Sequence, residues 1–256
     1  GYLDDINLDI RGLTPFNPKE GKINLLWVIS HPDDVTPRMV QSFQKVYSAG
    51  KPWAEYISNL SGKSVDLLPQ CTDTTIFHPD SIDKEFKDKV LFVGSSRNIA
   101  RPIVIDSINA GIDLSVYGGG WESLIDMKYL KSSFIPNHLL GKAYGSARVV
   151  LNDHWQDMRD WGFVSNRIFD SLATGACVIT DDVKGLYDMV PSDKMIRVYK
   201  TPLDLKQLVE SDWLKNVTKD DRARSARYIN EHHSFDSRAK KLLDDARDIA
   251  QASKKK

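Results

Sequence analysis

Short β-branched apolar runs alternating with helix-length amphipathic segments predict an α/β chain of parallel sheets in two units, the first of them incomplete. Ile23–Ser30 (INLLWVIS) is apolar almost throughout, as a strand covered on both faces requires. Val90–Val93, Leu114–Tyr117, Ala147–Leu151 and Ala176–Thr180 repeat that signal, with helical spacing between them. Turn-forming clusters follow the strands: HPDD after the first run, then GSSR, GGGW and NDHW after the next three. This is the pattern of doubly wound, Rossmann-like sheets, which gather their loops at the carboxyl ends of the strands.

In chain order, Ile6–Ile10 alternates enough for a short strand, and Arg11-Gly12-Leu13-Thr14-Pro15 reads as a turn. After Ile23–Ser30 come a helix over Pro37–Phe43, a strand at Lys45–Ser48, a helix over Pro52–Leu60 and a strand at Val65–Leu68. These make half a Rossmann-like sheet without its expected upstream strands, so residues 1–86 read as a partial unit that includes a connector. Pro69–Pro79 is a loop bounded by prolines, and Ser81–Asp88 is charged and expected to be exposed. Residues 87–256 form the second unit. It adds a brief strand at Ser133–Ile135, a helix from Pro136 through Tyr144, a strand at Met195–Tyr199 and a helix over Leu203–Val209. Thr218-Lys219-Asp220-Asp221 starts a helix to about Asn230 in capping-box fashion. Ser234 caps a last helix in which Phe235, Ala239, Leu242, Leu243, Ala246 and Ala250 recur at helical spacing.

The chain is organised around Val149–Asp182. Ser165 is placed to cap a helix that Gly175 ends. On the wheel, Asn166, Arg167, Asp170, Ser171 and Thr174 share a polar sector, and Ile168, Phe169, Leu172 and Ala173 fill the opposite one. A cation, an amide and a carboxylate thus meet at a helix N-terminus, where free N–H groups and the helix dipole favour an anion. Arg167 and Asn166 would face a diphosphate, and Asp170, one turn further in, would accept from ribose hydroxyls. The same spacing also fits a solvated helix face carrying one ion pair. Gly94 and Ser95, leading towards Arg97 and Arg101, read as a phosphate cradle, although Gly-Ser turns are common between strand and helix. Gly118-Gly119-Gly120 lets the backbone approach a ligand closely, and Trp121 beside it either stacks on that ligand or packs.

Thirty-five basic and thirty-five acidic residues cancel, so no global field draws the chain to nucleic acid or to an anionic membrane. No apolar run approaches the roughly 20 residues of a membrane helix. Lys254–Lys256 reads as a solvated tail. Cys71 and Cys177 are far apart and lack metal-ligand spacing, which fits two buried thiols in a reducing compartment. The chain starts at Gly1 without a signal-peptide pattern and reads as a fragment of a longer protein.

SNRIFDSLATGACVITDD resembles the nucleotide-sugar motif in the C-terminal domain of GT-B glycosyltransferases, in the group 1-related branch of the spore-maturation protein CgeB. It is similar more widely to the D/E-A-x-A-x-G-x-P-V segment of retaining GT-B enzymes. Asp170 then stands for the ribose-binding acid, and Cys177 where many relatives have proline. WVISHPDD, LFVGSSR, VYGGGWE, VLNDHWQDM and GFVSNRIFD extend the resemblance from about Ile23 to the last helix. PQCTDTTIFHP looks like the connector between GT-B domains, and the final helix of such enzymes often crosses back to the first domain.

The resemblance implies hexosyl or deoxyhexosyl transfer from a nucleoside-diphosphate sugar to an acceptor hydroxyl. The setting implied is bacterial surface polysaccharide or glycoconjugate synthesis, in the cytoplasm and within a larger assembly protein. No cofactor or bound metal is implied, because arginines and helix dipoles neutralise the leaving diphosphate. The donor contacts implied are Gly94, Ser95, Arg97, Arg101, Tyr117, Gly118, His138, Ser165, Asn166, Arg167 and Asp170, with Asp153 and His154 at the donor sugar. One departure concerns the E-x7-E pattern of retaining enzymes, whose first glutamate falls on Gly162 here, with Asp157 and Asp160 out of register. Retention or inversion is therefore unassigned.

His31 and Asp33 leave a strand end expected to face the cleft, and either could serve as base in an inverting reaction. Alternatively, Asp33 or Asp34 caps the helix after Pro37 and His31 packs in the loop. His31-Pro32-Asp33-Asp34 also resembles the zinc motif of N-acetylglucosaminide deacetylases. Val35 replaces the glutamate that follows there, and His138, His154 and His232-His233 supply no H-x-x-H. A further alternative is a domain that binds nucleotide-sugar without transferring it.

Overall fold

The computed structural model describes residues 5–12, 17–80, 82–87, 89–190 and 194–254. Leu13–Pro15 of the expected turn, Ser81 and Asp88 of the charged segment, and Lys255 and Lys256 of the tail lie outside the described residues. The first unit runs β1 (Ile6–Arg11), β2 (Ile23–Val28), a 3-10 turn at Pro32–Asp34, α1 (Pro37–Gln41), β3 (Lys45–Ser48), α2 (Lys51–Ser61) and β4 (Val65–Leu67). Its strands pair in parallel in the order β1-β2-β3-β4. The N-cap of α1 is Thr36, whose Oγ1 accepts the Met39 N–H at 3.3 Å, so neither Asp33 nor Asp34 caps it.

The second unit contains β5 (Val90–Val93), α3 (Pro102–Asn109), β6 (Leu114–Tyr117), β7 (Leu130–Ser132), α4 (Asn137–Ser146), β8 (Val149–Asn152), α5 (Gln156–Trp161) and α6 (Asn166–Ala173). It continues with β9 (Val178–Thr180), α7 (Leu186–Met189), β10 (Ile196–Val198), α8 (Pro202–Glu210), α9 (Trp213–Asn216), α10 (Lys219–His232) and α11 (Phe235–Lys254). The sheet order is β10-β9-β8-β5-β6-β7, all parallel. The chain builds outwards from β5 to β7 and then returns to lay β8 on the other side of β5. Strand order therefore reverses between β5 and β8, which opens a crevice at their carboxyl ends. The strand expected at Ser133–Ile135 lies three residues earlier. There Ser132 Oγ donates to the Phe134 carbonyl at 2.7 Å and accepts its N–H at 3.2 Å, turning the chain out of the sheet.

The units share a core. Phe163, fully buried, leaves the loop after α5 and packs with Leu26, Val46, Trp53 and Ile57 of the first unit, its ring centroid 6.1 Å from that of Trp53. A Cβ on Gly50 would lie 2.6 Å from the Phe163 ring, so the approach requires glycine there. Trp161 adds a hydrogen bond to Asp33 at 2.8 Å and a ring contact to Tyr56 at 4.8 Å.

The second bond between units is α11. Its Leu242 and Ala246 bury against Leu25, Trp27 and Tyr47, and Asp245 accepts the Tyr47 hydroxyl at 2.6 Å. Arg238 donates to the Pro69 and Gln70 carbonyls at 2.8 and 3.1 Å, clamping the connector to the helix. Thr72 bridges to Ser234, its N–H donating to the His233 carbonyl and its own carbonyl accepting from Phe235. Both cysteines are buried and unpaired. Among the described residues no helix is long and apolar enough to cross a membrane.

Phe163→Ala should lower stability by about 3–5 kcal/mol, because the cavity opens inside the first unit's core. Urea unfolding measures this. A loss under ~1 kcal/mol would mean that the units do not share that core.

Candidate functional site

A cleft of about 250 Å³ opens where the strand order reverses. It is lined by Gly94, Ser95, Arg97, Arg101, Asp153, His154, Trp155, Met158, Ser165 and Arg167. Two larger cavities, of about 710 and 480 Å³, border the opposite, N-terminal ends of β5, β6 and β8. Topology favours the smaller cleft, since ligands of open α/β sheets bind at carboxyl ends.

Arg167, in the first turn of α6, donates to Asn152 Oδ1 at 2.7 Å and lies 4.9 Å over the Phe92 ring. A Cβ on Gly94 would come within 2.8 Å of its Nη2, so glycine at that strand end makes room for the guanidinium. Arg97 is exposed and holds left-handed backbone (φ 54°), with its guanidinium 5.5 Å from the Trp155 ring. Among the described residues neither Arg97 nor Arg167 forms an ion pair with a carboxylate. Ser165 occupies the N-cap of α6 but makes no side-chain cap. The Ile168 N–H donates to the Ser165 carbonyl at 3.0 Å, the Asn166 and Arg167 N–H groups have no side-chain cap from Ser165, and the positive end of the helix opens on the cleft.

Arg101 behaves differently. Its Nε donates to Asp153 Oδ2 at 2.8 Å and its Nη2 to Asp153 Oδ1, with both side chains buried. It also lies 4.6 Å over Trp155. A buried guanidinium needs such a partner, so Arg101 and Asp153 brace the cleft wall and are not a free cation and a free sugar ligand. His154 is likewise engaged at both ring nitrogens, Nδ1 with Asp181 Oδ1 at 2.5 Å and Nε2 with the Ser165 N–H at 2.9 Å.

Asp170 is only 7% exposed and lies behind the cleft. Its Oδ1 accepts the Thr72 hydroxyl at 2.6 Å and its Oδ2 the Asn166 amide at 2.9 Å. The polar sector of α6 packs against the connector and α10, which overturns the alternative of a solvated helix face.

The remaining candidates fall outside the lining. Tyr117 is buried against Phe86. Gly118 (φ 138°) is needed for packing, since a Cβ there would collide with the Gly94 carbonyl. Trp121 packs, donating its indole N–H to the Gly94 carbonyl at 2.8 Å. His138 is exposed at the start of α4. His31 bonds Ser30 at 3.1 Å, Asp33 accepts from Trp161, and Asp34 pairs with Arg11 at 2.8 Å. Among the described residues no group of three His, Cys, Asp or Glu side chains is placed to hold a metal ion, which leaves the deacetylase reading without a site.

Gly162, in the place of the first glutamate of E-x7-E, ends α5 in left-handed backbone (φ 74°). A Cβ there would lie 2.8 Å from Pro52, so the junction between units has no room for that glutamate. Sequence reasoning missed Trp155 and Met158 as lining residues and Asn152, Thr180 and Asp181 beneath them. The one available signal was a run of polar residues, Asn152 and Thr180 to Asp182, at two strand ends.

The model of a protein family described as glycosyl transferase-like matches residues 97–244. A search of curated proteins by sequence gives no match. Among solved structures, sucrose-phosphate synthase of Thermosynechococcus elongatus aligns with a TM-score of 0.64 at 15% identity, over 90% of this chain and 69% of that one. TarM of S. aureus, solved with UDP, fondaparinux and alpha-GlcNAc-glycerol, aligns with a TM-score of 0.63 at 12% identity, over 88% of this chain and 51% of that one. The pneumococcal O-GlcNAc transferase GtfA, in complex with UDP and GlcNAc, gives 0.60 at 12% identity, over 90% and 53%. The chain thus spans about half the length of the last two. At these identities the likeness shows the fold, which is GT-B.

Burial pushes the Asp170 carboxyl up to about 7, against the hydrogen bonds from Thr72 and Asn166 and the charge of Arg167, which favour the carboxylate. Between the ordinary carboxylate range and about 7 the folded chain therefore holds a proton that the unfolded chain has lost. That contribution is full at acid pH and disappears as the pH rises through about 7. Urea unfolding from pH 4 to pH 8 should show wild type losing on the order of 3 kcal/mol relative to Asp170→Asn. Parallel profiles would contradict it.

Proposed function

The chain belongs to the glycosyl transferase-like family, and we propose that it moves a sugar from a nucleoside-diphosphate donor to an acceptor hydroxyl. One observation carries the proposal. Arg97, Arg167 and the N-terminus of α6 converge on one cleft at the reversal of strand order, without a carboxylate on either guanidinium. Such a constellation suits a diphosphate leaving group, whose growing negative charge fixed guanidinium and N–H groups stabilise. We infer that these groups do this without a bound metal. Asp170 would take the ribose hydroxyls, through the acceptor capacity that the Asn166 and Thr72 bonds leave on its carboxylate. The UDP in the TarM and GtfA complexes makes that nucleotide the first to test. We assign the reaction to the cytoplasm, in polysaccharide or glycoconjugate assembly, with hexosyl or deoxyhexosyl as the group moved.

A second reading is binding without transfer. Transfer breaks the bond from the sugar's anomeric carbon to the diphosphate, forms one to the acceptor oxygen, and must place the acceptor proton on a base. In the cleft Asp153 is paired with Arg101 and His154 is bonded at both nitrogens, while His31 and Asp33 do not line it. This observation favours a base from the acceptor side, a proton taken up by the leaving diphosphate, or binding without transfer.

Calorimetric titration with UDP, GDP and dTDP, in the presence of a chelator, separates these outcomes. One nucleotide should bind, and Arg167→Ala and Asp170→Ala should each weaken it at least about tenfold. Failure of all three to bind would remove the donor site. Loss of binding in chelator would remove the metal-free proposal. Incubation with the matching nucleotide-sugar, followed by NMR of the sugar, then distinguishes release of nucleoside diphosphate from a donor that stays intact.

A further inference from the structure

Beneath the cleft floor runs a chain of buried polar groups whose two ends both surface in the lining. Asp181 Oδ2 accepts the backbone N–H of His154 at 3.0 Å, and Oδ1 meets His154 Nδ1 at 2.5 Å. His154 Nε2 receives the Ser165 N–H at 2.9 Å. On the other side, Thr180 Oγ1 lies 3.2 Å from Asp181 Oδ1, Asn152 Nδ2 lies 2.9 Å from Thr180 Oγ1, and Asn152 Oδ1 lies 2.7 Å from Arg167 Nη1. Asn152 and Thr180 are fully buried, and His154 and Asp181 nearly so.

Asn152 Nδ2 also lies 3.5 Å from His154 Nε2, a cross-link between the two sides, and the donors along the chain fix where its shared protons sit. A backbone N–H only donates, so His154 Nε2 carries a lone pair and Nδ1 carries the proton given to Asp181. A guanidinium only donates, so Asn152 turns its carbonyl to Arg167 and its amide to Thr180. Thr180 then accepts from Asn152 and gives its single hydroxyl proton to Asp181. The carboxylate is thus the acceptor at which both arms end. One arm holds the N-cap of α6 and the other orients the guanidinium two residues along, in the same first turn. Arg159 of α5, 3.8 Å from Asp181 Oδ2, is the further cation facing the carboxylate.

We propose that Asp181 and His154 are positioning residues for nucleotide binding, setting the α6 N-terminus and, through Thr180 and Asn152, the Arg167 guanidinium. This rests on the donor-site reading above. Asp181 lies beneath the lining, and His154, which borders the cleft, has both ring nitrogens bonded within the protein. Their role is to hold two anion-binding groups at a fixed separation, so that little reorganisation opposes a diphosphate on entry. Shielding from water strengthens such a chain and makes each break costly.

The test uses the full chain and whichever of UDP, GDP and dTDP the wild type binds. His154→Gln puts an amide oxygen near the Nε2 position and keeps an acceptor for Ser165. His154→Asn puts its amide near Nδ1 and restores only the contact to Asp181. Positioning predicts that His154→Gln binds within about threefold of wild type while His154→Asn loses about tenfold or more, at comparable thermal unfolding. Asn152→Leu should weaken binding as much as Arg167→Ala does, and the double variant no further, because both changes act on one group.

A wild-type measurement accompanies these. Ring-nitrogen NMR of His154 should show protonated Nδ1 and unprotonated Nε2, with and without nucleotide. That result decides the wiring even if the variants fail to fold. An Nε2-protonated ring, equal binding by the two His154 variants, or additive losses for Asn152→Leu and Arg167→Ala would each overturn the proposal. Absence of nucleotide binding by wild type would instead mark failure of the donor-site reading, and the nitrogen spectrum tells the two failures apart.

Discussion

The reversal of strand order between β5 and β8 is the constraint from which the site follows. At the reversal the Arg167 guanidinium lies against both the end of β5 at Gly94 and the end of β8 at Asn152. Polar groups there are too deep for bulk water and must find partners, which Asn152, Thr180, Asp181 and His154 provide for one another. The crevice and its polar floor are two consequences of one topology.

The same crevice separates paired from unpaired charge. Arg101, with Asp153 bonded to it and Trp155 over it, has its charge neutralised within the wall. Arg97 and Arg167 keep theirs, the first at the rim and the second held between Asn152 and Phe92. A guanidinium that is held yet unneutralised is suited to a charge that arrives with a ligand, because its desolvation and ordering were met during folding. In a chain whose formal charges sum to zero, this local imbalance marks the cleft better than overall charge does.

The wall of the cleft is also the joint between the units. Met158 and Trp155 line the cleft and pack, with Phe163, against Trp53 and its neighbours. Asp170 is reached from the connector through Thr72, whose backbone in turn pairs with the start of α11. Movement of the first unit against the second would be felt at the cleft wall and at Asp170, by short paths through packed side chains. Gly50 and Gly162 are the two points where this contact is too close for any side chain.

The features legible in the residues alone are local. Continuous apolar runs such as INLLWV and VVL place the buried strands, because a parallel sheet covered on both faces tolerates little else. The Thr218–Asp221 box and the Ser234 cap announce α10 and α11 through spacings that act within one turn. The start of α6 at Ser165 was also legible, although the serine makes no side-chain cap there. Short helices α5, α7 and α9 were not, since four to six residues carry too little periodicity to show. Tertiary structure alone decided which charges are spent. Arg97 and Arg101 look alike in sequence, and only the arrival of Asp153 from the loop after β8, far along the chain, neutralises one of them. It also decided that Asp170 is buried, because the helix face that reads as solvated meets Thr72 of the connector. Partners remote in sequence set desolvation and pairing, and no local pattern encodes them.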